Sequence, residues 1–142
     1  MTLHIEGYAS RFGLRDLNDD VVVAGAFRDT LVSTGPKGVR MLYQHQVRSP
    51  VGVWDAIRED AIGLFVRGRI LDLNAEARMV GSLVKAGVVD GLSIGFRAVR
   101  SRKDSGSLRV LTGVELWEIS IVTFPMLPSA RITAMAEEVQ AA

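Results

Sequence analysis

Apolar and polar residues alternate with a period of two along most of the chain, as they do in strands that bury one face. This alternation, together with short β-branched runs, predicts strands over residues 3–10, 21–23, 39–43, 51–57, 62–71, 92–99, 108–111 and 114–124. Consecutive strands with short turns favour an antiparallel sheet. We therefore expect a mostly β fold with helices (α+β), built on a small antiparallel barrel of about seven strands that is flanked by helices.

Two segments follow a helical period instead. Residues 25–33 suit a short helix, and residues 74–86 suit a longer one with an apolar stripe along one side. Asn74 or Asp72 can cap the start of the longer helix, and Gly87 can take the left-handed conformation beyond its end.

The chain has no internal repeat and no linker, so we expect one domain over residues 1–142. Residues 100–107 are polar and are predicted to form an exposed hairpin loop. The segment 130–142 is rich in Ala and Glu. We expect it to be a helical or frayed tail that processing can remove.

Composition and charge exclude several kinds of functional site. The net charge is +1 and the chain has no cysteine, which excludes disulfides, thiolate metal sites and a cysteine nucleophile. No apolar run approaches the ~20 residues that cross a bilayer, and the N-terminus has no signal-peptide pattern, so we expect a soluble, intracellular protein. Two distant histidines and scattered acids form no cluster at metal-ligand spacing. We therefore expect no metal and no cofactor.

Histidine is the commonest general base near neutral pH, and the chain has two. His4 lies in the first predicted strand. His45 follows the strand over residues 39–43 and precedes a turn that contains proline, and catalytic groups gather at strand ends and loops. His45 is therefore the candidate base. A solvated loop histidine is the alternative.

Ser93 is the candidate nucleophile. Because the chain has no cysteine, the nucleophile must be the hydroxyl of a serine or threonine. Ser93 lies in Gly91-Leu92-Ser93-Ile94-Gly95-Phe96, and a glycine on each side leaves its hydroxyl accessible. A G-x-S-x-G pattern also marks the nucleophile elbow of α/β-hydrolases, but here the segment continues as a strand. The alternative is a small core serine in a bulged strand.

A third residue should orient the imidazole. Glu118 lies in the most hydrophobic strand, where a carboxylate is costly unless it is paired. Strand alternation places Glu118 and Glu115 on opposite faces, and it places Ser120 on the Glu118 face, where its hydroxyl can support the carboxylate. Two alternatives stay open: Glu115 as the acid, and a solvated Glu118 with its apolar neighbours turned inward.

Seven short segments together resemble, in order and spacing, the HK97-type prohead (capsid maturation) proteases of tailed phages and phage-derived particles. The resemblance covers about residues 7–132. The segments are Gly7-Tyr8-Ala9-Ser10-x-Phe12, Gly25-Ala26-Phe27, Met41-Leu42-Tyr43-Gln44-His45, Pro50-Val51-Gly52-Val53-Trp54, Gly63-Leu64-Phe65-Val66-Arg67-Gly68, Gly91-Leu92-Ser93-Ile94-Gly95-Phe96 and Glu118-Ile119-Ser120-Ile121-Val122.

The resemblance implies a serine peptidase related in fold to the herpesvirus assemblins, a small β-barrel surrounded by helices. It places the family's histidine at His45, its serine at Ser93 and its third, acidic member at Glu118. Members of the family often have Asp or Asn after the histidine, where this chain has Gln46.

The activity that the resemblance implies is capsid maturation in a tailed phage or phage-like particle. The implied substrates are the major capsid protein precursor and the protease itself. The implied assembly is a homodimer or higher homo-oligomer, and the implied location is the assembling procapsid in the cytoplasm of the bacterial host. Neither a nucleic acid nor a membrane is an expected partner.

Two other functions compete with this one. A chain of the same fold could be a non-catalytic scaffold module for capsid assembly. Alternatively, a basic hairpin could bind nucleic acid, and the binding would then depend on salt. The basic residues of that hairpin are Arg97, Arg100, Arg102, Lys103 and Arg109.

Overall fold

The computed structural model describes residues 2–138, in which eight strands and two helices form. In chain order the strands are β1 (Leu3–Arg11), β2 (Asp20–Val22), β3 (Arg40–Tyr43), β4 (Gln46–Glu59), β5 (Gly63–Ile70), β6 (Gly91–Lys103), β7 (Arg109–Val122) and β8 (Ile132–Glu137). Helix α1 (Arg28–Thr34) follows β2, and helix α2 (Ala75–Lys85) follows β5. The predicted fold class, mostly β with two helices, is confirmed.

The strands form one curled sheet in the order β2-β7-β3-β4-β5-β1-β8, with β6 paired to β7. Backbone bridges bring the sheet close to closure. At the start of β6, Gly91 bridges Arg131, and the Leu92 N–H donates to the Ala130 carbonyl at 2.9 Å. The backbone carbonyl of Arg131 in turn accepts the Tyr8 N–H of β1 at 3.3 Å. The segment before β8 therefore joins β6 to β1.

The sheet is mixed, whereas short turns predicted antiparallel neighbours throughout. Strand β7 pairs in parallel with both β2 and β3. The reason is that several other elements lie between β7 and both β2 and β3 in the chain, so no hairpin fixes the direction of these pairs. The β3–β7 pairing matters most for the site, because it places the end of β3 beside the second half of β7.

Two segment predictions need correction. The exposed hairpin loop predicted over residues 100–107 is confined to residues 104–107, since β6 continues to Lys103 and pairs with β7 as far as Arg109. The tail predicted to be helical or frayed instead forms β8, which pairs antiparallel with β1. Sheet pairing overrides the helix preference of Ala and Glu in that tail. Removal of the tail by processing stays a prediction, and residues 139–142 lie outside the described part of the chain.

The helices agree with their sequence signals. The Asn74 side chain caps α2 by accepting the Ala77 N–H at 2.9 Å. Gly87 follows the helix with a φ of 73°, the left-handed conformation that glycine adopts without strain. In the described residues, neither helix has the length and apolar character to span a membrane.

The core fills the inside of the curled sheet. Its largest fully buried side chains come from strands β1 and β3 to β7, from α2 and from the turn before α1, and they include Ile5, Phe27, Met41, Val51, Leu64, Val80, Leu92, Leu111, Leu116, Ile119 and Ile121. Because Ile119 and Ile121 point inward, the alternate residues of β7 point to the outer face. The candidate site is built on that outer face.

Candidate functional site

His45 occupies a tight turn between β3 and β4. Tyr43 pairs with Gln46 across the hairpin, so Gln44 and His45 form a two-residue loop. Both have positive φ, 55° and 60°, as the central residues of type I′ hairpin turns do. Glycine or asparagine usually takes such positions, and non-glycine residues held there are found at functional sites.

The turn is fastened to the end of β7. The Gln44 N–H donates to the Ile121 carbonyl at 3.0 Å. The Gln44 side chain donates to the Thr123 hydroxyl at 2.6 Å and accepts the Thr123 N–H at 3.2 Å. The His45 N–H donates to the Ser120 hydroxyl at 3.0 Å. Together these hydrogen bonds hold the turn in its strained conformation, as surrounding contacts must wherever a strained backbone is kept.

Glu118 meets the His45 ring. Its Oε2 lies 2.7 Å from Nδ1 of His45, and its Oε1 accepts the Ser120 hydroxyl at 2.9 Å. The Glu118 side chain is 13% exposed and that of His45 is 43% exposed. With a carboxylate at Nδ1, the neutral ring carries its proton there and leaves Nε2 as a lone-pair acceptor. The predicted support of Glu118 by Ser120 is confirmed.

A β-bulge at Trp117 changes the face on which Glu118 lies. Gly95 pairs with Glu118 and Phe96 with Leu116, so Trp117 is an extra residue on β7. The bulge shifts the alternation by one position. Glu115 and Glu118 therefore share the outer face, and the prediction that they lie on opposite faces is wrong.

Glu115 is occupied elsewhere. Its carboxylate accepts from the Arg97 guanidinium at 2.9 Å and from the Trp117 indole N–H at 2.6 Å. These contacts hold the pKa of Glu115 below its usual value. Because Glu118, and not Glu115, contacts His45, the geometry favours Glu118 among the two acids considered.

Ser93 lies on β6, the strand next to β7, and on the same face of the sheet as Glu118. It pairs directly with Ser120 across the β6–β7 ladder. The residue is 5% exposed, and within residues 2–138 its hydroxyl has no hydrogen-bond partner. Ser93 and His45 both line an open pocket of about 470 Å³, together with Gly95 and Met126. An unpaired hydroxyl and an imidazole with a free nitrogen therefore share one pocket.

The glycine after Ser93 makes room for the acid. A Cβ at Gly95 would lie 2.6 Å from the Glu118 carboxyl carbon and 2.7 Å from Oε2. Real Cβ contacts are essentially never closer than 3.0 Å. A side chain at position 95 would therefore displace the Glu118 carboxylate from this position.

The carboxylate of Glu118 raises the pKa of His45 above the usual 6.5, chiefly by its hydrogen bond to the ring, while partial burial opposes the shift. The protonated ring is stabilised by a charge-assisted bond to Glu118. This is the electrostatic property expected of a base that gains a proton during a reaction.

Several residues around the site were not predicted. Gln44 and Thr123 fasten the turn, and Asp16, Asn18 and Met126 complete the pocket wall. Gln44 carried one usable signal, since it stands beside His45 between two strands. The other residues come from distant loops, and no local pattern distinguishes them.

The basic hairpin is largely neutralised. Arg109 forms two hydrogen bonds with the buried Asp20, at 2.8 and 3.0 Å. Arg97 pairs with Glu115 at 2.9 Å, and Arg100 lies 3.7 Å from Asp29. Three of the five cations considered for nucleic-acid binding are thus paired with acids, which weakens that alternative.

Two curated phage proteins are similar in sequence. The prohead protease of Enterobacteria phage HK97 is 36% identical over 136 residues, which cover 92% of this chain and 59% of that protein. The prohead protease of Escherichia phage T5 is 29% identical over 123 residues, which cover 85% of this chain and 57% of that protein. The chain thus spans less than two thirds of the length of these relatives.

Solved structures show the same fold at low sequence identity. The capsid assembly protease of bacteriophage T4 aligns with a TM-score of 0.70 and 10% identity, over 84% of this chain and 80% of that one. The KSHV protease, solved with a hexapeptide phosphonate inhibitor, aligns with a TM-score of 0.66 and 12% identity, over 97% of this chain and 66% of that one. The predicted likeness to herpesvirus proteases is confirmed.

A family assignment follows from the sequence comparison, with the fold in agreement. The model of the Peptidase_S78 family, described as caudovirus prohead serine protease, matches residues 1–142. This chain therefore belongs to the caudovirus prohead serine protease family.

Proposed function

We propose that this chain is a serine endopeptidase in which Ser93 is the nucleophile, His45 the general base and Glu118 the residue that orients the imidazole. The observation that carries the proposal is the 2.7 Å contact between Glu118 and Nδ1 of His45, at a pocket that the unpaired Ser93 hydroxyl also lines. A nucleophile, a base and an orienting acid are the elements of this chemistry.

In the proposed reaction, Nε2 of His45 accepts the proton of the Ser93 hydroxyl as Oγ bonds to the carbonyl carbon of a peptide. The tetrahedral intermediate collapses when the imidazolium protonates the leaving amine, and an acyl-enzyme remains. Water, deprotonated by His45, then attacks the ester and releases the acid and Ser93. Glu118 stabilises the imidazolium in both steps.

The relatives' names support a substrate class. Two are prohead proteases and one is a capsid assembly protease. We therefore propose that the chain cleaves the major capsid protein precursor and itself during head assembly, inside the procapsid in the host cytoplasm. A homodimer or higher homo-oligomer is proposed as its assembly state. Confinement in a shell raises the effective substrate concentration, which offsets slow turnover.

The first experiment tests Ser93. The wild type and Ser93→Ala are incubated with the capsid protein precursor from the same source, with Ser49→Ala as the control. Ser49 is likewise 5% exposed, but it does not line the pocket. We expect cleavage by the wild type and by Ser49→Ala, and none by Ser93→Ala. Equal cleavage by all three proteins would remove Ser93 from the mechanism.

A second experiment separates the peptidase from the scaffold alternative. A fluorophosphonate probe should label the wild type at Ser93 and leave Ser93→Ala unlabelled, because the probe needs an activated hydroxyl. A scaffold would bind the capsid precursor, leave it intact and take no label.

A further inference from the structure

We propose that Ser120 is a positioning residue that locks the turn carrying His45 to the carboxylate that orients its ring. This inference rests on the proposed function, because it assigns a role within the same site. Ser120 does not line the pocket, and within residues 2–138 its hydroxyl bonds to His45 and Glu118 and not to Ser93, so we expect its side chain to act through His45 and Glu118.

The hydrogen bonds of Ser120 close a ring. Its Oγ accepts the His45 N–H at 3.0 Å and donates to Oε1 of Glu118 at 2.9 Å. The other carboxylate oxygen of Glu118 lies 2.7 Å from Nδ1 of the same histidine. The backbone of His45 and its ring are thus joined through one hydroxyl and one carboxylate.

A serine side chain suits this positioning role. A hydroxyl donates one hydrogen bond and accepts others, so one small side chain can serve an N–H donor and a carboxylate acceptor together. Ser120 is fully buried, and water cannot easily replace it. An alanine there would leave the His45 N–H without its acceptor and Glu118 without one of its donors, at a site shielded from solvent.

Gln44, the other residue of the turn, can be compared with Ser120. Gln44 fastens the same turn through Thr123, but its side chain makes no hydrogen bond to Glu118. Anchoring by Gln44 can therefore hold the turn in place without choosing the orientation of the carboxylate. Ser120 alone, among the described residues, hydrogen-bonds both His45 and Glu118.

The test compares Ser120→Ala with Thr30→Val. Thr30 is a matched control: it is 6% exposed, and its hydroxyl accepts the N–H of Leu116, also in β7, at 3.0 Å. The measurements are kcat and KM for the capsid precursor, and the pKa of His45 by NMR. The chain has two histidines, so His4 serves as an internal reference.

We expect Ser120→Ala to lower the pKa of His45 towards its ordinary value and to reduce kcat at least about tenfold, with KM little changed. Thr30→Val should leave both quantities unchanged once the folded fraction is equalised. A folded Ser120→Ala with wild-type kcat and an unshifted His45 pKa would overturn the inference.

The two proposals fail separately. Cleavage by Ser93→Ala would overturn the proposed peptidase mechanism, whereas the NMR titration tests Ser120 without any activity. If Ser120→Ala does not fold, Ser120→Cys repeats the titration with a side chain of similar size and a weaker donor. A lowered His45 pKa in that variant supports the inference, and an unchanged one contradicts it.

Discussion

Gly95 faces Glu118 directly across the β6–β7 ladder, and the carboxylate of Glu118 fills the space that a side chain at Gly95 would take. A Cβ there would lie 2.6 Å from the carboxyl carbon. The glycine that follows Ser93 by two positions therefore has a steric role towards the acid. It need not serve Ser93 itself.

This contact gives the first prediction. In Gly95→Ala, the new methyl group should push Glu118 away from His45, so cleavage should fall by about tenfold or more and the pKa of His45 should drop. The control is Gly81→Ala in α2, where the nearest atom to a new Cβ is 3.7 Å away. That variant should keep its activity and gain about 0.5–1 kcal/mol of stability, because alanine suits helix interiors. Full activity in Gly95→Ala would show that Glu118 can move without consequence.

The second prediction concerns the charge of Glu118. The variant Glu118→Gln should fold, lower cleavage by roughly 10²–10⁴-fold and shift the acidic limb of the kcat/KM profile to lower pH. The shift follows because the carboxylate raises the pKa of His45, and the base works only when it is neutral. Glu115→Gln is the control, since Glu115 pairs with Arg97 instead. Reversed behaviour of the two variants would assign the orienting role to Glu115.

The third prediction concerns stability and pH. The folded protein has a raised His45 pKa, so it binds the proton more tightly than the unfolded chain does. The resulting stabilisation should be fully present below the unfolded value of 6.5 and be lost as pH rises through the folded pKa. Urea unfolding of the wild type and Glu118→Gln across this range measures it. The difference between the two proteins should shrink as pH rises, and a difference independent of pH would contradict the prediction.

The fourth prediction concerns the cap of α2. Asn74→Ala removes the acceptor of the Ala77 N–H and should lower the free energy of unfolding by about 1 kcal/mol. Asn74→Asp keeps a capping oxygen and should lose little. Because the cap is remote from the pocket, kcat should not change in either variant. A loss in Asn74→Asp equal to that in Asn74→Ala would mean that the amide acts in another way.

Local patterns predicted much of this fold. Helix α2 has its cap at Asn74, one of the two candidates in the sequence, and its left-handed Gly87 where the sequence predicts it, because both depend on neighbours within one turn. Most strands were predicted for a similar reason. The failures lie where distant pairing decides: β8 forms because β1 offers it an edge, and β6 extends to Lys103 because β7 runs beside it.

For the site, the sequence by itself determined which residues are candidates. They are one histidine at a strand end, one serine between glycines and one carboxylate in an apolar strand. The sequence also placed Ser120 beside that carboxylate, since two positions along a strand return to the same face. Only the tertiary structure decided which acid meets His45. The parallel pairing of β3 with β7 carries the turn to Glu118, and the bulge at Trp117 sets the face on which that carboxylate lies. Both are register choices between strands far apart in the chain, and register is chosen by the packing of the whole core, which no local pattern contains.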